Sequence, residues 1–333
     1  MSAQKSILYP LVAVLVLILI PVIGVKLGLS YFFAVVVPYA AFIIFFGGIL
    51  CKVINWARSP VPFRITTTCG QEKSFDWVKH NKFDNPFTNG QVAVRMALEV
   101  LCFRSLFRNL KMELRDGPKL SYGSAKWLWL GALAFHWSFF IILLRHMRFF
   151  AQPVPGFVDM LQNVDGFFEL GLPQLFVTDA VIVAALTYLF LRRVVVPQLR
   201  YISLPSDYFP LFLLFGLVLS GIGMRYFFRV DIVKVKELAM SLVTLKPTVP
   251  EGIGALFYVH LFMLSVLFAY FPFSKLTHMA GVFLSPTRNL ANNSRYKRHV
   301  NPWDYPVKVH TYEEYEEEFR EKMKEVGLPV EKE

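Results

Sequence analysis

Apolar runs of about twenty residues alternate with polar breaks along most of this chain, and that pattern decides its class. Six stretches, approximately 7 to 29, 31 to 53, 127 to 150, 175 to 197, 207 to 228 and 253 to 279, reach the length a helix needs to cross a hydrocarbon layer. The expected fold is therefore all-α, a polytopic membrane bundle of six helices. Residues 1–30 form an extra N-terminal helix, 31–282 the core with a polar insertion at 54–126, and 283–333 a polar tail. Composition agrees: 55% of residues are hydrophobic, 33 are Phe, and only 18% are charged. The first run follows a short Met1 to Ser6 stretch with one lysine and no clear small-residue cleavage site, so it reads as a retained anchor.

Charge sets the orientation. Residues 54–126 hold twelve Lys or Arg against six Asp or Glu, whereas 151–174 holds Asp159, Asp165 and Glu169 and no basic residue. Basic flanks stay in the cytoplasm, which places the first segment inside and the second outside. Arg192, Arg193 and Arg200, and Arg288, Arg295, Lys297 and Arg298 after the sixth span, agree. The chain is expected in a bacterial cytoplasmic membrane with both termini inside. The loop 225–252 dissents, because Arg225, Arg229, Lys234, Lys236 and Lys246 fall on the outer side. The net charge of +11 belongs largely to the cytoplasmic flank and does not indicate nucleic acid binding.

Within the insertion, Met96, Val100, Phe103, Phe107, Leu110 and Leu114 recur at helical spacing, with Arg104, Arg108, Lys111 and Arg115 on another face. This predicts a basic amphipathic helix along the membrane surface, held by anionic membrane lipid or by a protein contact. A charged helix is expected over Tyr312 to Val326, either solvated or facing a partner.

The chemistry lies in four histidines. His136 and His146 sit ten residues apart in the third span, and His260 and His278 eighteen apart in the sixth. At roughly 100° per residue the first pair is about 80° apart and the second shares one face, so both can point into one bundle. Such side chains inside a span usually face the interior and serve a function. Because the two spans run antiparallel, depth pairs His146 with His260 on the outer side and His136 with His278 on the inner side. Two neutral imidazoles fill both axial positions of a low-spin iron, which leaves electron transfer rather than oxygen chemistry. The four are read as axial ligands of two stacked haems. Cys51, Cys69 and Cys102 form neither CxxC nor CxxCH, so the haem would be the non-covalent b type.

On straight helices His136 and His146 lie about 15 Å apart in height, but His260 and His278 about 27 Å. Pro272 is expected to kink or break the sixth span between its histidines. Arg145 and Arg148 either pair with haem propionates or snorkel to the outer interface. Asp179 is a candidate for proton handling or a partner of Arg145. His80, His299 and His310 fall in polar segments and read as exposed. The competing class is a haem-free anchor or transporter with histidines that pack or carry protons, but no interrupted half-helices in repeated halves mark a substrate path.

The histidine spacings resemble the di-haem cytochrome b subunit of respiratory nitrate reductase, the gamma or NarI-like family, over spans two to six. The first span and the large insertion depart from that five-helix pattern. Together with FPFSKLTHMAGVFLSPTRNLANNSR at Phe271 to Arg295, these departures resemble the DsrM family, membrane subunit M of the DsrMKJOP sulfite-reduction-associated complex. The resemblance implies two bis-histidine haem b groups and exchange of electrons with menaquinone. It also implies a DsrK-like cytoplasmic iron–sulfur partner related to heterodisulfide reductases, and DsrJ, DsrO and DsrP-like subunits. A subunit of another heterodisulfide-reductase-like or nitrate-reductase-like complex is the alternative within the class.

Overall fold

The computed structural model describes residues 3–59, 72–117, 119–166, 174–285, 288–293, 296–297 and 309–332. Cys69, Glu169, Arg295, Arg298 and His299 lie outside the described residues. Helix α1 covers Ala3–Lys26, and a π-turn at Phe32–Val36 leads into α2, Val37–Ala57. The insertion holds α3 (Asn89–Cys102), α4 (Arg104–Arg108) and the strands β1 (Leu110–Arg115) and β2 (Lys119–Ser124). Then come α5 (Lys126–His146), α6 (Gly156–Asp165), α7 (Val177–Val195), α8 (Pro197–Ile202), α9 (Pro205–Ile222) and α10 (Ile232–Val243). The last are α11 (Ala255–Tyr270), the short α12 (His278–Gly281) and α13 (Tyr312–Glu325).

The structure is a mostly helical membrane bundle. Among the described residues, five stretches are long and apolar enough to cross a membrane: Gln4–Lys26, Phe32–Ala57, Lys126–Phe149, Pro205–Phe227 and Ala255–Phe273. The remaining expected span is α7, whose 19 residues include Asp179, Arg192 and Arg193 and so exceed the charge such a stretch usually carries. It nonetheless packs between α5 and α9. Its charges sit at its ends, the acid in the first turn and the bases in the last, where they match the helix dipole, and Asp179 and Arg193 meet ion-pair partners.

Val14, Leu186, Leu213, Leu217, Met263 and Leu267 bring α1, α7, α9 and α11 together in one core. A second cluster joins Phe33, Ala34 and Val35 to Leu238 of α10 and Phe257 of α11. Many outward apolar side chains remain exposed, among them Leu15, Ile43 and Leu143, as lipid contact requires. Close approach uses glycine. A Cβ on Gly131 of α5 would lie 2.5 Å from the Tyr188 ring of α7, and one on Gly48 would lie 2.6 Å from Pro272.

Two expectations need correction. The sixth span stops near Phe273 rather than 279. A 3-10 turn at Phe271–Phe273 follows α11, Ser274 is extended, and His278 opens α12. Pro272 has no N–H to continue the ladder, and its carbonyl accepts instead from Lys52 Nζ at 2.9 Å. The surface helix expected through Leu114 ends at Cys102, because Phe103 turns into the left-handed region at φ 50°. The chain beyond Asn109 is an antiparallel hairpin that pairs Met112 with Tyr122 and Leu114 with Leu120. Leu110, Met112 and Leu114 satisfy a period of two as well as a helical one, and Asp116-Gly117, with Gly117 at φ 81°, supplies the turn.

The tail closes on itself. Thr311 and Glu314 form a capping box at the start of α13. Past its end, the chain returns so that Glu331 and Lys332 donate their backbone N–H groups to Glu316 at 2.8 and 2.9 Å. Those bonds hold the Glu316 carboxyl below the ordinary glutamate value. With the folded value below the unfolded one, this stabilisation is complete above the ordinary carboxylate range and is lost as pH falls through the folded value.

Gly131→Val should lower stability by about 1–3 kcal/mol through overpacking against Tyr188. Thermal unfolding in detergent checks this against Gly47→Val, where a Cβ meets nothing within 4 Å. Equal melting temperatures would contradict the close approach. A fluorophore at Val330 should report release of the 327–332 segment only as pH falls below the ordinary carboxylate range and through the lowered Glu316 value. Glu316→Ala should show the released signal already at neutral pH, and a flat titration of the parent protein would count against the closure.

Candidate metal centre

Each histidine is placed by a different local feature. His136 lies mid-way along α5 and His146 at its last turn, while His260 follows the start of α11 closely and His278 follows its break. The break brings His278 back toward α5. His136 and His278 have ring centroids 6.0 Å apart with planes at 81°. His146 and His260 have centroids 6.4 Å apart with planes at 7°.

The second ring nitrogens are already engaged. Nδ1 of His136 donates to the Ala132 carbonyl and Nδ1 of His146 to the Ile142 carbonyl, both at 2.7 Å, and Nδ1 of His278 donates to Lys275 at 3.0 Å. Nδ1 of His260 meets Ser220 Oγ at 2.9 Å, and that hydroxyl donates to the Leu217 carbonyl at 2.9 Å, so it accepts from the imidazole. In all four residues the proton therefore sits on Nδ1 and leaves the Nε2 lone pair for a ligand, the arrangement found around metal-bound histidines. Two imidazole–metal bonds of about 2 Å plus the ring radii place facing centroids about 6 Å apart. Both pairs match that spacing. Among the described residues, no group of three His, Cys, Asp or Glu side chains is arranged to hold a metal ion. Each pair offers two imidazole nitrogens, the two axial positions that a planar macrocycle leaves open.

The surroundings of the pairs differ. Gly221 lets α9 approach the pair of His146 and His260, since a Cβ there would lie 3.3 Å from His260 Cε1. At the inner pair, Phe103 and Phe135 each meet the His136 ring edge-on with centroids 5.0 Å away. His278 is exposed. The pair of His136 and His278 is thus open on the His278 side.

Beside His146 lies a buried charge network. Arg145, only 7% exposed, faces Asp165 and Asp179, each at 3.1 Å, and donates to Thr178. Asp165 also accepts from the Thr178 N–H and hydroxyl at 2.8 and 2.6 Å. Asp179 accepts from Tyr226 at 2.9 Å. The guanidinium groups of Arg145 and Arg225 each lie 3.7 Å from the Phe176 ring centre. Arg148 turns away to Gln162 of α6 at 2.8 Å. Arg145 and Asp179 thus meet, as one of the two readings of Asp179 had it, and Asp165 joins them in one cluster.

The remaining histidines lie elsewhere: Nε2 of His80 is 2.8 Å from the Asn85 carbonyl, and His310 is 4.0 Å from Glu314. Asp165 is marked by the sequence only as a loop acid, and Phe176, Ser220 and Tyr226 are not marked by it at all. A serine inside an apolar run was the one available signal for Ser220.

The profile of the nitrate reductase gamma subunit family matches residues 120–298. The chain is also 47% identical over 279 residues to an Hdr-like menaquinol oxidoreductase cytochrome b-like subunit of Archaeoglobus fulgidus, a match covering 82% of this chain and 83% of the relative. A protein of the same description from Archaeoglobus profundus is 42% identical over 274 residues, covering 80% and 81%.

Arg145→Met should destabilise the fold by about 3–5 kcal/mol, because it strands two carboxylates in a buried site. Differential scanning fluorimetry in detergent measures it, and Arg145→Lys should fall between the two. A melting temperature unchanged in Arg145→Met would mean that solvent already screens those acids.

Proposed function

Because this chain belongs to the nitrate reductase gamma subunit family, we propose that it is a di-haem b electron-transfer subunit. It would connect menaquinol at the outer side of the membrane with an iron–sulfur partner at the cytoplasmic side. One observation carries the reading: two facing histidine pairs at about 6 Å, each imidazole with Nδ1 already hydrogen bonded. Bound there, haem b supplies reversible one-electron chemistry. His146 and His260 would hold the outer group, and His136 and His278 the inner one. Ser220 fixes the tautomer of His260. Arg148, hydrogen bonded among the described residues to the neutral amide of Gln162, is the better candidate for a haem propionate, since the charge of Arg145 is matched by Asp165 and Asp179.

The relatives' description as Hdr-like menaquinol oxidoreductase subunits supports menaquinol as the quinone and an Hdr-like assembly, while a DsrK-like iron–sulfur partner rests on the resemblance of the sequence. The basic segment 54–126 supports a cytoplasmic membrane location with both termini inside. A narrower reading places the chain in a sulfite-reduction-associated complex with DsrJ, DsrO and DsrP-like subunits. The stretch Phe271 to Arg295 favours it, and sequencing the co-purified partners distinguishes the two.

Difference spectra with a pyridine haemochrome count test the core of the proposal. The parent protein should hold two b haems. His146→Ala and His260→Ala should each lose one of them, and His136→Ala and His278→Ala the other. A well-folded parent preparation without a Soret band would leave a haem-free anchor or transporter instead.

A further inference from the structure

The insertion between α2 and α5 does more than lie on the membrane surface. Contacts along α5 trace its path. Phe103 meets His136, Phe107 meets Trp129 with centroids 4.9 Å apart, and Asn109 accepts from the Ala125 N–H at 3.3 Å. Helix α4 therefore runs back along α5, from the level of His136 to its first residue. His136 lies ten residues past Lys126, about 15 Å along the helix axis. The junction of α3 and α4 is consequently inside the depth of the span.

A broken helix at that depth must satisfy its backbone without water. The junction does so with side chains. The Trp137 indole N–H donates to the Leu101 carbonyl at 3.0 Å, and that of Trp129 to the Cys102 carbonyl at 2.7 Å. The Phe103 N–H reaches Leu98, and the Ser105 N–H donates to the Glu99 carboxylate at 3.1 Å, with the Ser105 hydroxyl on its other oxygen. Glu99 is itself buried. Val100, Leu101 and Phe107 remain exposed on the outside of the turn, continuous with exposed Trp137 and Phe140 of α5. A water-facing surface helix would need none of these indole and carboxylate partners.

We propose that Asn89–Arg108 is a re-entrant elbow in the cytoplasmic leaflet whose tip, Phe103, is a positioning residue for His136 and shields the His136 side of the inner histidine pair from water. The role at His136 rests on the haem reading above. The left-handed backbone of Phe103, uncommon for a bulky residue, is what turns its ring onto the imidazole. The apolar shell around a metal centre controls solvent access and thereby its redox potential. Opening that shell favours the more charged, oxidised form.

Potentiometric titration of the intact protein with its complement of haem tests the role. Phe103→Ala and Phe103→Gly should shift the inner midpoint potential downward and alter the inner low-spin resonance, with the outer haem unchanged, and Phe103→Tyr should restore both. Glycine adopts the same backbone without cost, so its effect isolates the ring. Inner signals identical to the parent in both variants would overturn the proposal while leaving the di-haem reading intact. If the Phe103 variants do not fold, Trp137→Phe, which removes only the bond to Leu101, decides in the same way.

A second measurement needs no haem. Leu101→Cys, in a chain with Cys51, Cys69 and Cys102 changed to Ser, is labelled with a fluorophore in liposomes. Brominated lipid should quench it and aqueous iodide should not. Quenching by iodide alone would place the junction in water and refute the elbow.

Discussion

An imidazole in a hydrocarbon layer brings two polar nitrogens to a place where water satisfies neither, and much of this structure answers that constraint. Three of the four histidines bond a carbonyl of their own preceding turn, and His260 borrows Ser220 from α9. Local bonds of this kind orient each ring before any tertiary contact forms. The bundle then has only to bring two oriented pairs face to face. On a straight sixth span, His278 would sit too far from the level of His136. The break at Pro272 removes that conflict, and it is stabilised from α2 by Lys52 and by the close approach of Gly48.

The same economy governs the charges. Arg145 and Asp179 would each be costly alone within the bundle, but with Asp165 they form a compact network completed by Thr178 and Tyr226. It ties α5, α6, α7 and the end of α9 together next to His146. This explains why α7 belongs in the bundle despite its charged ends. At its other end, Arg193 lies 3.8 Å from Asp207, which also binds Lys275 at 2.7 Å. Both ends of α7 are thus tied into neighbouring elements by opposite charges.

The insertion shows how one sequence pattern serves two geometries. Residues 96–114 read as a continuous amphipathic helix because their apolar positions fit a helical period. The structure divides them at Phe103 and sends the second part through α4 into a hairpin. Nothing in the local periodicity distinguishes these outcomes. The deciding partners, Trp129 and Trp137, lie more than twenty residues further along the chain.

Span positions, the class of fold and the pairing of histidines by depth were legible in the sequence, because membrane crossing depends on the length of apolar runs and antiparallel helices order residues by depth alone. Pro272 announced the break for the equally local reason that it lacks an N–H. The tertiary structure decided which carboxylates meet Arg145, which hydroxyl holds His260 and where the insertion turns. Asp165 and Ser220 carry no distinctive local pattern, and their partners are helices apart in sequence. What they do follows from the positions at which α6 and α9 pack, and those depend on side chains from the whole bundle.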